Sequence, residues 1–205
     1  MTIVADPIHS VGAEPGRPLA DILAAAARGD GPAWRELIDR YSPRVFALAR
    51  SRCRSADAAE EVTQSVFATV AAKLGGSNPS KGSYVEMGRF EPWLFRIAMN
   101  RIRDEARRRE RQAPATDPTA FATLPDARDT SHAASEADLN SLRAALDQLP
   151  DADREVIDLR HHGGLSFRQI ADLLDEPIGT LLARHHRALR KLRTMLDEVN
   201  EDGQP

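Results

Sequence analysis

A row of side chains able to bind phosphate runs along the last predicted helix of the chain. Its members recur at helical spacing, with no acidic residue before Asp197: Thr180, Arg184, Arg187, Arg190, Lys191 and Arg193. Arginine and lysine bind phosphate oxygens, and arginine also donates paired hydrogen bonds to guanine in the major groove. Because a DNA duplex carries one negative charge per about 1.7 Å of axis, this row predicts a face that binds duplex DNA.

A second polar row lies within residues 90–112, FEPWLFRIAMNRIRDEARRRERQ. Four of its side chains fall at i, i+4, i+7 and i+11, and so on one helical face: Arg96, Asn100, Arg103 and Arg107. Asparagine and arginine are the side chains best suited to base edges and phosphates. The alternative is an ordinary surface helix held by ion pairs such as Arg101–Glu105.

Four histidines are the candidate metal ligands: His161, His162, His185 and His186. Adjacent histidines point in different directions on a helix, and the chain has no HExxH motif or cysteine-based ligand spacing. It also has no nucleophile motif and no phosphate-binding loop. We therefore predict no metal, no cofactor and no enzymatic activity. An enzyme with histidine-bound metal is the alternative, and zinc dependence of any activity would reveal it.

Three predicted helices position the first row. The first ends at Gly163 and Gly164, where glycine supplies the left-handed geometry of a helix C-terminus. Ser166 and Gln169 form a capping box at the start of the second helix. Pro177 stands where the first position of the third helix tolerates a missing N–H.

The third of these helices has one apolar and one cationic side. Its predicted inner stripe consists of Ile178, Leu181, Leu182, His185, Leu189 and Leu192. A short helix, a turn and a longer helix of this kind have the layout of a helix-turn-helix DNA reader. The alternative is an ordinary three-helix bundle with a solvated basic face.

The remaining apolar residues recur at helical spacing from Pro18 to about residue 74, and again from 139 to 149. No window shows sustained period-two alternation, so we predict no strands. Ser42 and Pro43 are predicted to separate two helices. Residues 75–89, rich in glycine and serine, are predicted to form a loop, either a connector or a binding loop.

Composition limits the class of protein. The 205 residues contain 41% hydrophobic and 29% charged side chains, which is typical of soluble globular chains. The net charge of −3 conceals basic residues gathered on two helices. The single cysteine, Cys53, is expected to be a buried thiol and fits the reducing cytoplasm. The N-terminus does not read as a signal peptide, and no apolar run approaches the ~20 residues of a membrane span.

These patterns divide the chain into five parts. Residues 1–17 are predicted to be a flexible arm, and 18–112 an N-terminal helical bundle. Residues 113–137, with several prolines and acidic side chains, are predicted to be a flexible linker. Residues 138–197 hold the helix-turn-helix, and 198–205 an acidic tail. The predicted fold is all-α, with two small helical domains.

The chain resembles the extracytoplasmic-function (ECF) sigma factors, the small two-domain promoter-specificity subunits of bacterial RNA polymerase. Three stretches carry the resemblance: AAEEVTQSVF at 58–67, FEPWLFRIAMN at 90–100 and LSFRQIADLLDEPIGTLLARHHRAL at 165–189. Their order and separation make the match specific. The resemblance covers about residues 20–112 and 138–196, the family's regions 2 and 4.

The resemblance implies a role for each row. The helix with Arg96, Asn100, Arg103 and Arg107 matches the one that grips upstream −10 DNA, and Trp93 matches an aromatic near the melting site, although core packing is as good an explanation for it. The helix-turn-helix, with Thr180, Arg184, Arg187, Arg190 and Lys191, matches the −35 reader. The 75–89 loop corresponds to the loop that captures a flipped base. Leu182 stands where the family usually has lysine or arginine.

The resemblance also implies partners. Glu60, Glu61 and Gln64 match the surface that docks on the β′ clamp helices of core polymerase, or they form an ordinary acidic helix start. The β flap, promoter DNA and an anti-sigma factor are the other expected partners. A different helix-turn-helix regulator is the alternative function. It would share residues 153–196 but need not have WLFRIAMN or the acidic docking helix.

Overall fold

The computed structural model describes residues 17–53, 55–75, 88–112 and 136–202. The predicted arm up to residue 16, most of the 75–89 loop and residues 113–135 of the predicted linker lie outside the described residues. The predictions for those segments therefore stay predictions.

The described residues form helices and no strand, which confirms the predicted all-α class. The helices are α1 (Leu19–Ala27), α2 (Gly31–Arg52), α3 (Ala56–Leu74), α4 (Phe90–Gln112), α5 (Glu136–Asp147), α6 (Asp151–His161), α7 (Phe167–Leu174) and α8 (Ile178–Asp202). Within the same residues, none of the helices is long and apolar enough to cross a membrane.

Helices α1–α4 form an N-terminal lobe around a closely packed apolar core. Leu37, Leu48, Leu94 and Phe95 are fully buried there, each from the inner face of its amphipathic helix. Cys53 follows the end of α2 and is 7% exposed, as expected of a buried thiol. Burial raises the pKa of this thiol, so it stays protonated at neutral pH.

Helix α2 corrects one prediction. Ser42 and Pro43 do not separate two helices, because α2 runs without interruption from Gly31 to Arg52 with Pro43 inside it. A proline at this position removes one backbone hydrogen bond. The buried side chains Tyr41 and Val45, on either side of Pro43, pack into the core and hold the helix together.

Helices α5–α8 form a C-terminal lobe, in which α6, α7 and α8 make the predicted helix-turn-helix. The capping box at the start of α7 is present, with Ser166 accepting from the backbone N–H of Gln169. Gly164 has φ of +64°, which confirms the left-handed turn before α7. The turn from α7 to α8 passes through Asp175, whose φ of 57° is also left-handed.

The buried face of α8 differs from the predicted stripe. Leu181, Ala188 and Leu192 are buried, whereas the apolar side chains of the adjoining face are exposed: Ile178 at 42%, Leu182 at 46% and Leu189 at 43%. Hydrophobic spacing predicted a wider stripe than the lobe covers, because α5, α6 and α7 pack against only one side of α8.

The two lobes pack against each other within the described structure. Val156, Leu159 and Leu165 of the C-terminal lobe belong to the same buried apolar cluster as Leu48 and Phe95 of the N-terminal lobe. The sequence patterns did not predict this interface, because its contacts join residues as far as 119 positions apart.

Arginines of the N-terminal lobe complete the interface. Arg44 donates to the carbonyl oxygen of Gly163 through Nε at 2.8 Å and Nη2 at 2.5 Å. Arg52 pairs with Asp158, whose side chain is fully buried. In the other direction, Arg154 donates to the carbonyl oxygen of Ser51 at 2.7 Å. Polar contacts therefore surround the shared apolar cluster.

Candidate nucleic-acid interface

Helix α8 presents the predicted DNA-binding residues on one side. At about 100° of rotation per residue, Thr180, Arg184, Arg187 and Lys191 fall within an arc of about 60°, and Arg190 lies about 60° beyond one edge of it. Thr180, Arg187, Arg190 and Lys191 are exposed, and Arg184 is half-buried. The helix-turn-helix thus brings the five residues together on one surface, which we call the α8 face.

Three cations of the α8 face are held by neighbouring elements. Arg184 pairs with Glu176, in the turn before α8, at 2.8 Å. Arg187 donates two hydrogen bonds to Asp153 of α6. Lys191 donates to the carbonyl oxygen of Gln148, at the end of α5, at 3.0 Å. These side chains are therefore oriented before any ligand binds, which reduces the conformational entropy lost on binding.

Two of the four residues in the second row, on α4, contact the C-terminal lobe. Arg96, Asn100, Arg103 and Arg107 lie within an arc of about 60° of the helix, as predicted, and all four are exposed. Arg96 nevertheless donates to the carbonyl oxygens of Asp172 and Leu173 at the end of α7, each at 2.9 Å. Arg103 pairs with Glu155 of α6 at 2.5 Å.

The face of α4 predicted to bind DNA therefore lies partly against the C-terminal lobe. Arg96 caps the unpaired carbonyls at the C-terminus of α7, a favourable site for a cation. The sequence carried no signal for these contacts, since the partners are 52 to 77 residues apart and two of them are backbone carbonyls. Among the described residues, Asn100 and Arg107 make no hydrogen bond or ion pair with the C-terminal lobe.

Trp93 has the surroundings of a core residue. It is half-buried, packs against the apolar cluster and lies 5.7 Å, ring centre to ring centre, from Phe90. The part of the indole that is exposed leaves a role near DNA open. Trp93 therefore packs in the core, and its role near DNA stays a prediction.

The predicted polymerase-binding residues occupy two neighbouring sites on α3. Glu60 and Gln64 line an open groove between α2 and α3, together with Pro43 and Phe46. Glu61 instead faces α4, where it pairs with Arg108 at 3.1 Å. All three side chains are exposed. The groove therefore combines polar side chains of α3 with apolar side chains of α2.

Two of the four histidines meet across the helix-turn-helix. The Nε2 atoms of His161 and His185 lie 3.1 Å apart, so one imidazole donates to the other. The rings of Phe167 and His185 pack in a T-shaped arrangement, with 5.1 Å between ring centres. Among the described residues, no group of three or more histidine, cysteine or acidic side chains is arranged to hold a metal.

The His161–His185 pair should make stability depend on pH. Burial lowers the pKa of both imidazoles below the ordinary value of 6.5, and nearby positive charges, Arg160 among them, lower it further. The unfolded chain therefore binds protons at a higher pH than the folded protein does. Stability is fully present above pH 6.5 and falls as the pH is lowered through the folded pKa values. Urea unfolding at pH 7.5 and at pH 5.0 measures the difference.

Replacing both histidines separates their contribution to the pH dependence of stability from that of the carboxylates. His161→Gln together with His185→Gln should reduce the loss of stability between the two pH values. His186→Gln is the matched control, because this exposed histidine lies outside the pair. An unchanged loss in the double variant would show that other groups cause the pH dependence.

Comparison with known proteins identifies both lobes. A family model described as Sigma-70 region 2 matches residues 37–112, and one described as Sigma-70, region 4 matches residues 145–194. The chain is 30% identical to the ECF RNA polymerase sigma factor SigK of Mycolicibacterium vanbaalenii, over 85% of this chain and 87% of SigK. The chain belongs to the ECF sigma factors. This confirms the resemblance described from the sequence.

Two further similarities place this sigma factor among its relatives. It is 33% identical to the ECF sigma factor SigE of Mycolicibacterium smegmatis, over 80% of this chain but only 62% of SigE. Its fold is similar to that of the sigma factor RpoE from Bartonella quintana, solved in complex with the anti-sigma factor NepR. That match has a TM-score of 0.62 at 26% identity and covers 80% of this chain and 96% of RpoE.

The two rows of predicted DNA-binding residues lie in different regions of the sigma factor. This sigma factor is a promoter-specificity subunit that binds core RNA polymerase and directs transcription initiation. Region 2 contains α4 with its arginine and asparagine row, and region 4 contains the helix-turn-helix with the α8 face. The predicted site residues therefore lie in the two regions that this family uses.

Proposed function

We propose that the α8 face of this sigma factor reads the −35 promoter element through Thr180, Arg184, Arg187, Arg190 and Lys191. The observation that carries this assignment is the exposure of four of these side chains on one side of α8, while Leu181 and Ala188 are buried on another. In a helix-turn-helix the second helix enters the major groove. Arginines on that helix bind guanine edges or phosphates there.

Arg96, Asn100, Arg103 and Arg107 on α4 bind the −10 element, and the neighbouring Trp93 lies at the edge of that site. Asn100 and Arg107 are free to contact DNA in the described arrangement. Arg96 and Arg103 must first break their contacts with α7 and α6 before they can bind phosphate oxygens. Holoenzyme formation therefore includes a separation of the lobes. The free protein binds duplex DNA weakly, since part of its cationic surface is occupied.

Glu60, Glu61 and Gln64 bind the β′ clamp helices of core polymerase, and region 4 binds the β flap. The groove beside Glu60 and Gln64 offers polar side chains next to the exposed part of Phe46, a combination typical of protein interfaces. The polymerase carries out all covalent chemistry, so the sigma factor itself is not an enzyme, and it acts in the cytoplasm. By analogy with RpoE and NepR, an anti-sigma factor regulates it.

One experiment tests the whole assignment. The purified chain is added to core RNA polymerase, and transcript starts are mapped on genomic DNA. New starts should share two upstream sequence elements. The proposal fails if the chain does not bind the core enzyme, or binds without changing where transcripts begin.

Replacement of Asn100 by alanine should slow open-complex formation by about 5- to 100-fold, because one bidentate contact to a base is lost. Closed-complex binding should change less, since the phosphate contacts of the neighbouring arginines persist. Permanganate footprinting of the melted strand measures opening, and gel shift at low temperature measures closed binding. Equal effects on both steps would refute the role given to Asn100.

The matched control for this substitution is Asn140→Ala. Asn140 is also an exposed asparagine on a helix, but it lies on α5, which carries neither row. The control variant should initiate transcription at the wild-type rate. A similar loss in both variants would indicate a general effect on stability instead of a contact to DNA.

A further inference from the structure

Asp153 is a buried acidic residue at the edge of the α8 face. It lies in the first turn of α6 and is 4% exposed. Its two carboxylate oxygens accept from two nitrogens of one guanidinium: Arg187 Nε donates to Oδ2, and Arg187 Nη2 to Oδ1, each at 3.0 Å. Such a bidentate pair fixes both the position and the plane of the guanidinium.

A favourable helix position alone does not explain this contact. Acidic residues stabilise the first turn of a helix, but Asp151 of the same turn is exposed and serves that purpose without an ion pair among the described residues. Asp153 is instead turned toward α8. The hydrogen bonds from Arg187 lower its pKa, and the charges of Arg187, Arg184 and Lys191 lower it further, against the effect of burial. Three of the five α8-face residues thus act electrostatically on this carboxylate, and one of them, Arg187, contacts it directly.

The pair leaves the outer edge of Arg187 available. A guanidinium has five N–H donors, and Asp153 accepts two of them, from Nε and from Nη2. The three remaining donors are on Nη1 and Nη2, and the Arg187 side chain is 56% exposed. A fixed pair of outward N–H groups matches two acceptors on DNA, either phosphate oxygens or guanine O6 and N7.

We propose that Asp153 is a positioning residue that holds Arg187 ready to bind these DNA acceptors at the −35 element. The proposal rests on the function assigned to the α8 face. Without Asp153, the long Arg187 side chain samples many rotamers, and binding must first select one. The opposing effect is that the negative charge of Asp153 reduces the attraction of Arg187 for phosphate. The sign of the change when Asp153 is removed decides between the two effects.

A double-mutant cycle on the holoenzyme tests the proposal. Asp153→Ala, Arg187→Ala, the double variant and Asp151→Ala are assembled with core polymerase on a promoter found by start mapping. Dissociation constants are measured by fluorescence anisotropy over a range of salt concentrations. We expect Asp153→Ala to weaken binding by about 3- to 30-fold, and the double variant to bind no more weakly than Arg187→Ala. Asp151→Ala, the matched control, should stay within about 2-fold of wild type.

The salt series distinguishes the two DNA acceptors. If Arg187 binds phosphate, its removal lowers the slope of log K against log salt by about one and weakens all sequences equally. If Arg187 binds guanine, its removal instead relaxes the sequence preference at one position. Asp153→Ala should change the same property as Arg187→Ala does, either the salt slope or the preference at one base position. A merely structural role for Asp153 would change neither in this selective way.

Several results would overturn the proposal. Tighter binding by Asp153→Ala would show that the carboxylate masks Arg187, and a further loss in the Arg187→Ala background would show a structural role. If Asp153→Ala does not fold, Asp153→Asn keeps the side-chain volume and should show a smaller loss of the same kind; wild-type affinity in it refutes the proposal. A wild-type holoenzyme with no −35 preference would refute the proposed function itself, which is a separate outcome.

Discussion

Arg52→Met is expected to lower the free energy of unfolding by about 3–5 kcal/mol. Arg52 of the N-terminal lobe pairs with Asp158 of α6, whose side chain is fully buried. Without Arg52, the nearest side-chain nitrogens recorded around this carboxylate are those of Arg154 at 3.7 Å and His162 at 3.8 Å, both beyond hydrogen-bond distance. A buried charge without a close partner is strongly destabilising. Urea unfolding followed by circular dichroism measures the change.

Two further variants separate the buried pair from a general loss of charge. Arg35→Met is the matched control, because Arg35 is an exposed arginine of the same helix, and its replacement should cost less than about 0.5 kcal/mol. Arg52→Met combined with Asp158→Leu should be more stable than Arg52→Met alone, since it leaves no unpaired carboxylate. A loss below about 1 kcal/mol in Arg52→Met would mean that other groups satisfy Asp158.

Arg184→Ala is expected to weaken holoenzyme binding to the −35 element by about 5- to 150-fold if the side chain reads a base edge. The Glu176 carboxylate holds Arg184 at 2.8 Å at the start of the α8 face, where a recognition helix meets bases. Loss of a base contact should also relax the preference for one base pair. Competition with promoters altered at single positions of the −35 element measures both effects.

The control for Arg184 is Arg143→Ala, which removes an exposed arginine of α5 whose described hydrogen bond goes only to Asn140. It should bind the −35 element as wild type does. If Arg184→Ala weakens all sequences equally, then Arg184 contacts phosphate and not a base. Unchanged affinity would remove Arg184 from the reading surface altogether.

Local features of the fold were predictable from the sequence because their causes are local. Ser166 and Gln169 lie three residues apart, and a capping box needs nothing else. The left-handed turn at Gly164 follows in the same way from the permissive backbone of glycine. The grouping of the α8 face likewise follows from helical periodicity alone.

Features that depend on tertiary packing were not predictable in this way. Hydrophobic spacing placed Leu182 and Leu189 on the inner face of α8, but burial depends on which neighbours cover a helix, and none of the described helices buries these two. Pro43 gave a local signal for a helix break that the surrounding core overrides. The partners of Arg96 and Arg187 lie on other helices, and no spacing in the sequence points to them.

The packing of the lobes has a consequence for how the chain folds. Each lobe consists of helices close together in sequence, so each can form early from local contacts. The contacts of Arg44 with Gly163 and of Arg154 with Ser51 join residues 119 and 103 positions apart, and they form only after both lobes exist. We therefore expect docking of the lobes to be the last step of folding. Since one apolar cluster spans both lobes, heat should melt them together as a single cooperative unit.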